Sequence, residues 1–173
     1  MRLGNIRTLL GASLILAASC GSGPDRNAAA FQNYVDRQAI ETTLVRYSTG
    51  LDTFNADVYA SAFATDAEFT IEGKVYHGRE EIGSIITDMK ASRAKRAADT
   101  DPGNDPAPIM HHVMSNAVID IVSTDRALHH CYWMTVSGGP ALNSFKVAAE
   151  GRYEDELVKR NGEWLIYRRK IVD

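Results

Sequence analysis

The chain has 173 residues, 45% of them hydrophobic and 24% charged, the makeup of one folded globular domain rather than of a disordered chain. A net charge of −3 with no dense basic run speaks against a nucleic-acid partner. Two cysteines rule out a disulfide framework or a thiolate zinc site as the organiser of the fold.

Residues 1–20 read as a signal segment. Arg2 and Arg7 give a basic start, Thr8 to Ala18 carries no charge, and Ser19-Cys20-Gly-Ser-Gly is a small-residue exit. The apolar run is shorter than the roughly 20 residues a membrane span needs. Ala17-Ala18-Ser19-Cys20 resembles a bacterial lipobox with Cys20 as the lipid-carrying residue, although Leu16 sits one place early. Ala17-x-Ser19 suits ordinary cleavage as well, and the lipoprotein reading is favoured because Cys-Gly-Ser-Gly makes a flexible tether. The expected location is the periplasm, or the bacterial cell envelope through a lipid anchor, with no other membrane contact. Removal of 1–20 leaves a more acidic domain with Cys131 as its lone thiol, which its neighbours Tyr132 and Trp133 mark as buried and inert.

Residues 21–33 are small and polar and are read as a linker to a domain over 34–173. Ile40, Leu44, Tyr47 and Leu51 then recur at helical spacing, and Asn55-Ala-Asp57 caps a second helix carrying Val58, Tyr59, Ala62 and Phe63. Two short strands, Ala67–Ile71 and Lys74–Tyr76, flank Glu72-Gly73. A third helix runs from Arg79 to about Ala97 with Ile82, Ile85, Ile86 and Met89 inward, and Asp99 to Pro108 is a loop. Four long β-branched and aromatic segments follow: Met110–Val122, Ala127–Ser137, Ser144–Lys159 and Trp164–Val172. Ser123-Thr-Asp-Arg, Ser137-Gly-Gly-Pro and Asn161-Gly162 separate them as turns. Helices first and antiparallel strands afterwards predict an α+β domain, a cone of helices on one face of a curved sheet that encloses a pocket for a small molecule.

Several polar residues do not suit a bland core. Asp52 closes an apolar stripe at a helix C-terminus, where a carboxylate opposes the helix dipole, unless it serves as a helix cap or a solvated turn residue. Tyr47, five residues earlier, lies about 140° away around an ideal helix, so the two converge only if the helix ends or bends at Gly50. His111 and His112 open one strand, and His129 and His130 lie in the next. Alternation sends one of each pair inward, so the four histidines cannot converge on a metal, and a hydrogen-bonded core histidine is the commoner outcome. Met110, His112, Met114 and Asn116 share one face. Arg169 shares a face with Leu165, Tyr167 and Ile171 and needs an anionic partner, either a glutamate such as Glu150 or Glu154 or a charge developing on a substrate.

The motifs Ile40-Glu-x-x-Leu-x-x-Tyr47-x-x-x-Leu-Asp52, Tyr59-x-x-x-Phe63-x-x-Asp66-Ala-Glu-Phe69 and Tyr76-x-Gly78-x-Glu-x-Ile82 resemble the SnoaL-like branch of the nuclear-transport-factor-2-like (NTF2-like) superfamily. His111-His112-x-x-x-Asn116, Tyr153-Glu-Asp-Glu-Leu-Val and Asn161-Gly-x-Trp164 continue the likeness to about residue 172. The branch resembled includes hexachlorocyclohexane dehydrochlorinase, bile-acid 7α-dehydratase and scytalone dehydratase. The resemblance implies an Asp–His dyad at Asp52 and His112, an arginine at Arg169, Phe69 in place of a pocket tryptophan, and Tyr47 where the dehydrochlorinase has a lysine. That last difference points away from chloride loss towards loss of water or another oxygen leaving group.

The implied chemistry is a cofactor-independent, metal-free lyase acting on a small hydrophobic cyclic substrate such as a steroid or aromatic compound. An imidazole with an ordinary pKa of about 6.5 can take the proton, and a carboxylate on its other nitrogen fixes the tautomer. His112 is then the base, Asp52 its orienter, Tyr47 the acid or hydrogen-bond donor and Arg169 the electrostatic clamp, with Phe69, Met114 and Trp133 as candidate pocket walls. An isomerase or cyclase of the same fold, and a non-catalytic envelope-tethered binding protein, are the alternatives. The resemblance also implies a homo-oligomer, a trimer being the precedent.

Overall fold

The computed structural model describes residues 26–98, 109–138 and 145–172. The signal segment with Cys20, the loop read over 99–108 and most of the turn after Ser137 lie outside the described residues. Helix α1 (Arg26–Asp52) begins inside the stretch read as a linker, so residues 26–33 are helical. Asn27 is followed by three alanines, and that composition extends a helix by backbone propensity alone. These first turns are exposed, and the inward face begins at Asp36 and Ile40. Ile40, Leu44, Tyr47 and Leu51 are all buried, as their spacing predicts.

The helix stops through a Schellman closure: Asn55 N–H reaches the Gly50 carbonyl at 2.9 Å and Phe54 N–H the Leu51 carbonyl at 3.3 Å. Phe54 occupies the left-handed position (φ 51°) that glycine usually takes, and its partly buried ring packs against the core. Helix α1 continues through Gly50 to Asp52 rather than ending at Gly50. A Cβ there would lie 2.3 Å from the Tyr59 backbone nitrogen, so glycine is what lets helix α2 (Ala56–Ser61) cross so closely. Asn55 caps α2 by accepting from Val58 N–H, and Phe63 already belongs to the next strand.

Strand β1 (Phe63–Ile71) turns through Glu72 and Gly73, both at positive φ, into β2 (Lys74–His77). Helix α3 (Gly78–Ala98) buries Ile82 and Ile86, with Ile85 and Met89 partly buried. The long strands are β3 (Ile109–Ile121), β4 (Arg126–Gly138), β5 (Lys146–Arg160) and β6 (Glu163–Val172). They form one curved, unclosed sheet in the order β2-β1-β6-β5-β4-β3. All neighbours are antiparallel except β1 and β6, which run parallel. Asn161 and Gly162 make the β5–β6 hairpin at φ 53° and 84°, the turn that this dipeptide predicts.

Two irregularities change which side chains point inward. β3 slips register between Ser115 and Val118, where Asn116 sits at φ 53°, so Asn116 is exposed rather than on the His112 face. β6 slips opposite Glu156 and Leu157, which puts Arg169 on the buried side with Ile166 and turns Tyr167 out beneath the guanidinium groups of Arg126, Arg160 and Arg168. The expected sharing of a face by Arg169 and Tyr167 fails for that reason. No helix among the described residues is long and apolar enough to cross a membrane.

Candidate active site

Asp52 ends α1 and lies against the start of β3. Its Oδ1 sits 2.6 Å from His112 Nδ1, and both of its oxygens accept the His112 backbone N–H at 3.0 and 3.1 Å. Three contacts from one residue offset the unfavourable helix C-terminus and fix the carboxylate in one orientation. The pair is partly accessible, with side-chain exposures of 8% for His112 and 19% for Asp52. The ring's other nitrogen, Nε2, is 3.0 Å from Thr135 Oγ1, directly across the β3–β4 ladder. With Nδ1 donating to the carboxylate, Nε2 carries the lone pair that a base requires.

Trp133 lies beside the imidazole, with ring centroids 6.2 Å apart, and stacks on Tyr153 at 5.4 Å. The indole can lie flat because its cross-strand partner is Gly151, where a Cβ would stand 3.0 Å from the ring. Met114, the other cross-strand neighbour of Trp133, is partly buried on the same side.

Tyr47 and Arg169 meet elsewhere. Tyr47 OH is 3.2 Å from Tyr153 OH, and the Arg169 guanidinium lies between their rings at 4.0 and 4.2 Å. Phe69 packs on Tyr47 and Phe63 in the sealed core. Tyr47 and Asp52 therefore do not converge, since α1 stays helical through Gly50. The predicted residues form two groups, Asp52 with His112 and Tyr47 with Arg169, joined by the Trp133–Tyr153 stack.

Arg169 has its anionic partner, and it is neither Glu150 nor Glu154. Asp155 accepts from Arg169 Nε at 2.7 Å and Nη2 at 2.6 Å, and His129 Nδ1 lies 2.6 Å from the same carboxylate. All three side chains are wholly inaccessible. Burial alone would raise the Asp155 pKa, but the Arg169 charge and the hydrogen bonds from Arg169 and His129 hold it below the ordinary carboxylate value. Burial likewise opposes the Arg169 charge, and Asp155 more than restores it. His129 Nε2, Arg169 Nη1 and Trp133 Nε1 are buried without a partner among the described residues.

Sequence reasoning passes over Thr135, Tyr153 and Asp155. Tyr153 and Asp155 stand inside a quoted motif, but the register that places them is a long-range property of the sheet. Among the described residues no three His, Cys, Asp or Glu side chains gather as metal ligands. A groove of about 640 Å³ lies on the outer face of the sheet, bordered by Glu68, His130, Arg152, Glu154 and Arg168, and does not reach Asp52 or His112.

Helices on one side of a curved, mostly antiparallel sheet, with a His–Asp pair between α1 and β3, make this an α+β protein of the NTF2-like, cystatin-like class. The chain belongs to the SnoaL-like domain family, which matches it over residues 32–170. It is similar to an NTF2-like protein from Novosphingobium aromaticivorans, at 21% identity and a TM-score of 0.66, over 85% of this chain and 88% of that one. It is similar to a structure named as a scytalone dehydratase from the same organism, at 22% and 0.61, over 82% and 86%. A third is LinA, at 19% and 0.64, over 83% and 88%. At these identities the likeness establishes the fold. No curated protein sequence matches the chain.

Proposed function

We propose that the chain is a cofactor-independent lyase that eliminates water or another small leaving group from a small hydrophobic cyclic compound, a steroid or aromatic substrate being the chemistry it suits. One observation carries this reading: a partly accessible imidazole with Nδ1 committed to a carboxylate at 2.6 Å and Nε2 held by nothing stronger than a hydroxyl. That is the arrangement of a tautomer-fixed general base. His112 takes the proton from carbon, and Asp52 stabilises the imidazolium that forms. Trp133 and Met114 line the approach. Tyr47 supplies the acid through its hydroxyl contact with Tyr153, which lies nearer the base on the Trp133 stack. Arg169, sealed beneath both tyrosine rings, acts as the clamp through them rather than by touching substrate. The structures named as a scytalone dehydratase and LinA support the elimination class.

The same proposal places the mature chain in the periplasm or on a lipid anchor at Cys20, and as a homo-oligomer. A non-catalytic binding protein is the second reading, favoured by the complete burial of Tyr47, Phe69 and Arg169. The test is incubation with hydroxylated steroids, bile acids and aromatic diols, read by mass spectrometry beside His112→Ala. Loss of a small neutral that disappears in the variant is the expected result. Ligand binding equal in both proteins, without turnover, overturns the lyase in favour of the binding protein.

A further inference from the structure

Helix α1 carries apolar side chains on two opposite sides. One side, with Ile40, Leu44, Tyr47 and Leu51, is buried in the core. On the other, Phe31, Tyr34, Val35 and Val45 fall within an arc of about 100° around the helix axis. All four are exposed, Phe31 at 67% and Tyr34 at 60%. From Arg26 to Val35 every residue is exposed, so no described element covers these first turns. The Arg37 guanidinium donates to the Ile119 carbonyl at 2.6 Å and brings the end of β3 beside the foot of this stretch, where Val118 and Val122 are exposed as well. Large apolar side chains gathered on one outer surface mark a contact site.

We infer that the outer stripe of α1 is a membrane-surface contact: the helix lies along the headgroup layer of a lipid bilayer with Phe31, Tyr34, Val35 and Val45 turned into it. This rests on the anchor proposed at Cys20, is independent of the elimination chemistry, and replaces the expectation that a lipid makes the sole membrane contact. Only Gly21-Ser-Gly-Pro-Asp25 separates Cys20 from Arg26, and such a stretch spans no more than about 20 Å when fully extended. A helix tethered that closely meets the bilayer at high effective concentration, so a contact too weak to recruit free protein is still populated. The composition of the stripe suits an interface. Tyr34 offers an apolar ring with a hydroxyl that stays wet, and Glu41, Gln38 and Thr42, on or beside the same arc, remain hydrated among headgroups. Those polar residues make a poor seam for a second copy, which would have to desolvate them. The helix lies on the bilayer and does not cross it, being too polar for a span.

For the test, the full chain is expressed in a bacterial host, the lipid on Cys20 is read by mass spectrometry, and the protein is reconstituted into vesicles of phosphatidylethanolamine and phosphatidylglycerol. Phe31→Cys, Tyr34→Cys and Val45→Cys are compared with Ala29→Cys and Asn33→Cys, on the opposite side of the same helix, by their rates of reaction with a membrane-impermeant maleimide. All five positions are exposed, so the fold tolerates the changes, and buried Cys131 stays silent. The expected result is labelling of the first three slowed by about tenfold or more relative to the other two, the weight of burying one large apolar side chain. A bimane dye placed on the same three thiols then loses its fluorescence in vesicles whose acyl chains carry bromine, and at Ala29 and Asn33 it does not. Equal labelling rates on a lipidated chain overturn the inference and leave the anchor standing. Slow labelling without quenching by bromine gives the stripe to a second copy or to another segment of the chain, which also overturns it. A chain recovered without lipid on Cys20 removes the anchor and the inference together.

Discussion

Two His–Asp pairs share the same 2.6 Å contact and differ in what surrounds them. Asp52 and His112 keep a window to the outside, whereas Asp155 and His129 are sealed with Arg169. The open pair is the one to which the proposed chemistry is assigned, and the sealed one holds a buried charge in the core. Asp155 binds its proton less readily in the folded state than its ordinary pKa would give, because of Arg169 and His129. Its contribution is therefore complete above about pH 4 and is lost as the pH falls through the lower, folded value. Asp155→Asn leaves the Arg169 charge buried and uncompensated, and a loss of about 3–5 kcal/mol at pH 7 is expected in denaturant unfolding. An unchanged midpoint would refute the account. Cys131 provides an independent check on the interior, since burial pushes its thiol up to about 11. A thiol-specific reagent at pH 8 should leave the native domain untouched and label Cys131 on unfolding.

At the scale of elements, the dyad depends on how α1 ends. Gly50 lets α2 approach, Phe54 accepts a left-handed backbone to close the helix, and Asp52 between them is thereby delivered to β3. Gly50→Ala forces α1 and α2 apart and should cost at least about 1–3 kcal/mol, the usual penalty of overpacking. It should also weaken the Asp52–His112 contact, visible as a shifted His112 Nδ1–H resonance. A resonance that stays put while stability falls would separate the helix contact from the dyad. The sequence is informative here in an uneven way. Helical stripes, the Asn55 cap and the Asn161-Gly162 hairpin are local signals, and residues 40–51, 55–61 and 161–162 adopt the predicted forms. The bulges at Asn116 and opposite Leu157 are set by the register with the neighbouring strand rather than by the local sequence, so strict alternation misplaces Asn116 and Tyr167. His112 and Asp52 come together as expected because each sits at an element's end, whereas Thr135 becomes visible only once the β3–β4 register is known.

For the whole molecule, the outer face of the sheet offers both a charged lattice and apolar side chains. Arg168 pairs with Glu68 and Glu156, and Val113, Leu128, Tyr132 and Met134 stand exposed nearby on β3 and β4. Such a surface is what the proposed homo-oligomer would cover. Tyr132→Lys with Met134→Lys should then shift the sedimenting species to a monomer while leaving the Asp52–His112 contact intact, read from the His112 Nδ1–H resonance. A wild type that sediments as a monomer at high concentration would refute the assembly.

The parallel pairing of β1 with β6 also sets the order of events during synthesis. Phe63 and Ile166, roughly a hundred residues apart in the chain, must meet before the sheet is continuous, and contacts of such long sequence separation slow folding. Until β6 has left the ribosome, the apolar stripe of Ile40, Leu44, Tyr47 and Leu51 has no finished surface to cover. A chain truncated before Glu163 is expected to stay open and protease-sensitive, even though α1, α2 and the dyad carboxylate are all present. The β6 strand thus acts as a clasp: the sheet cannot close on β1 until every strand between them in the chain has been made.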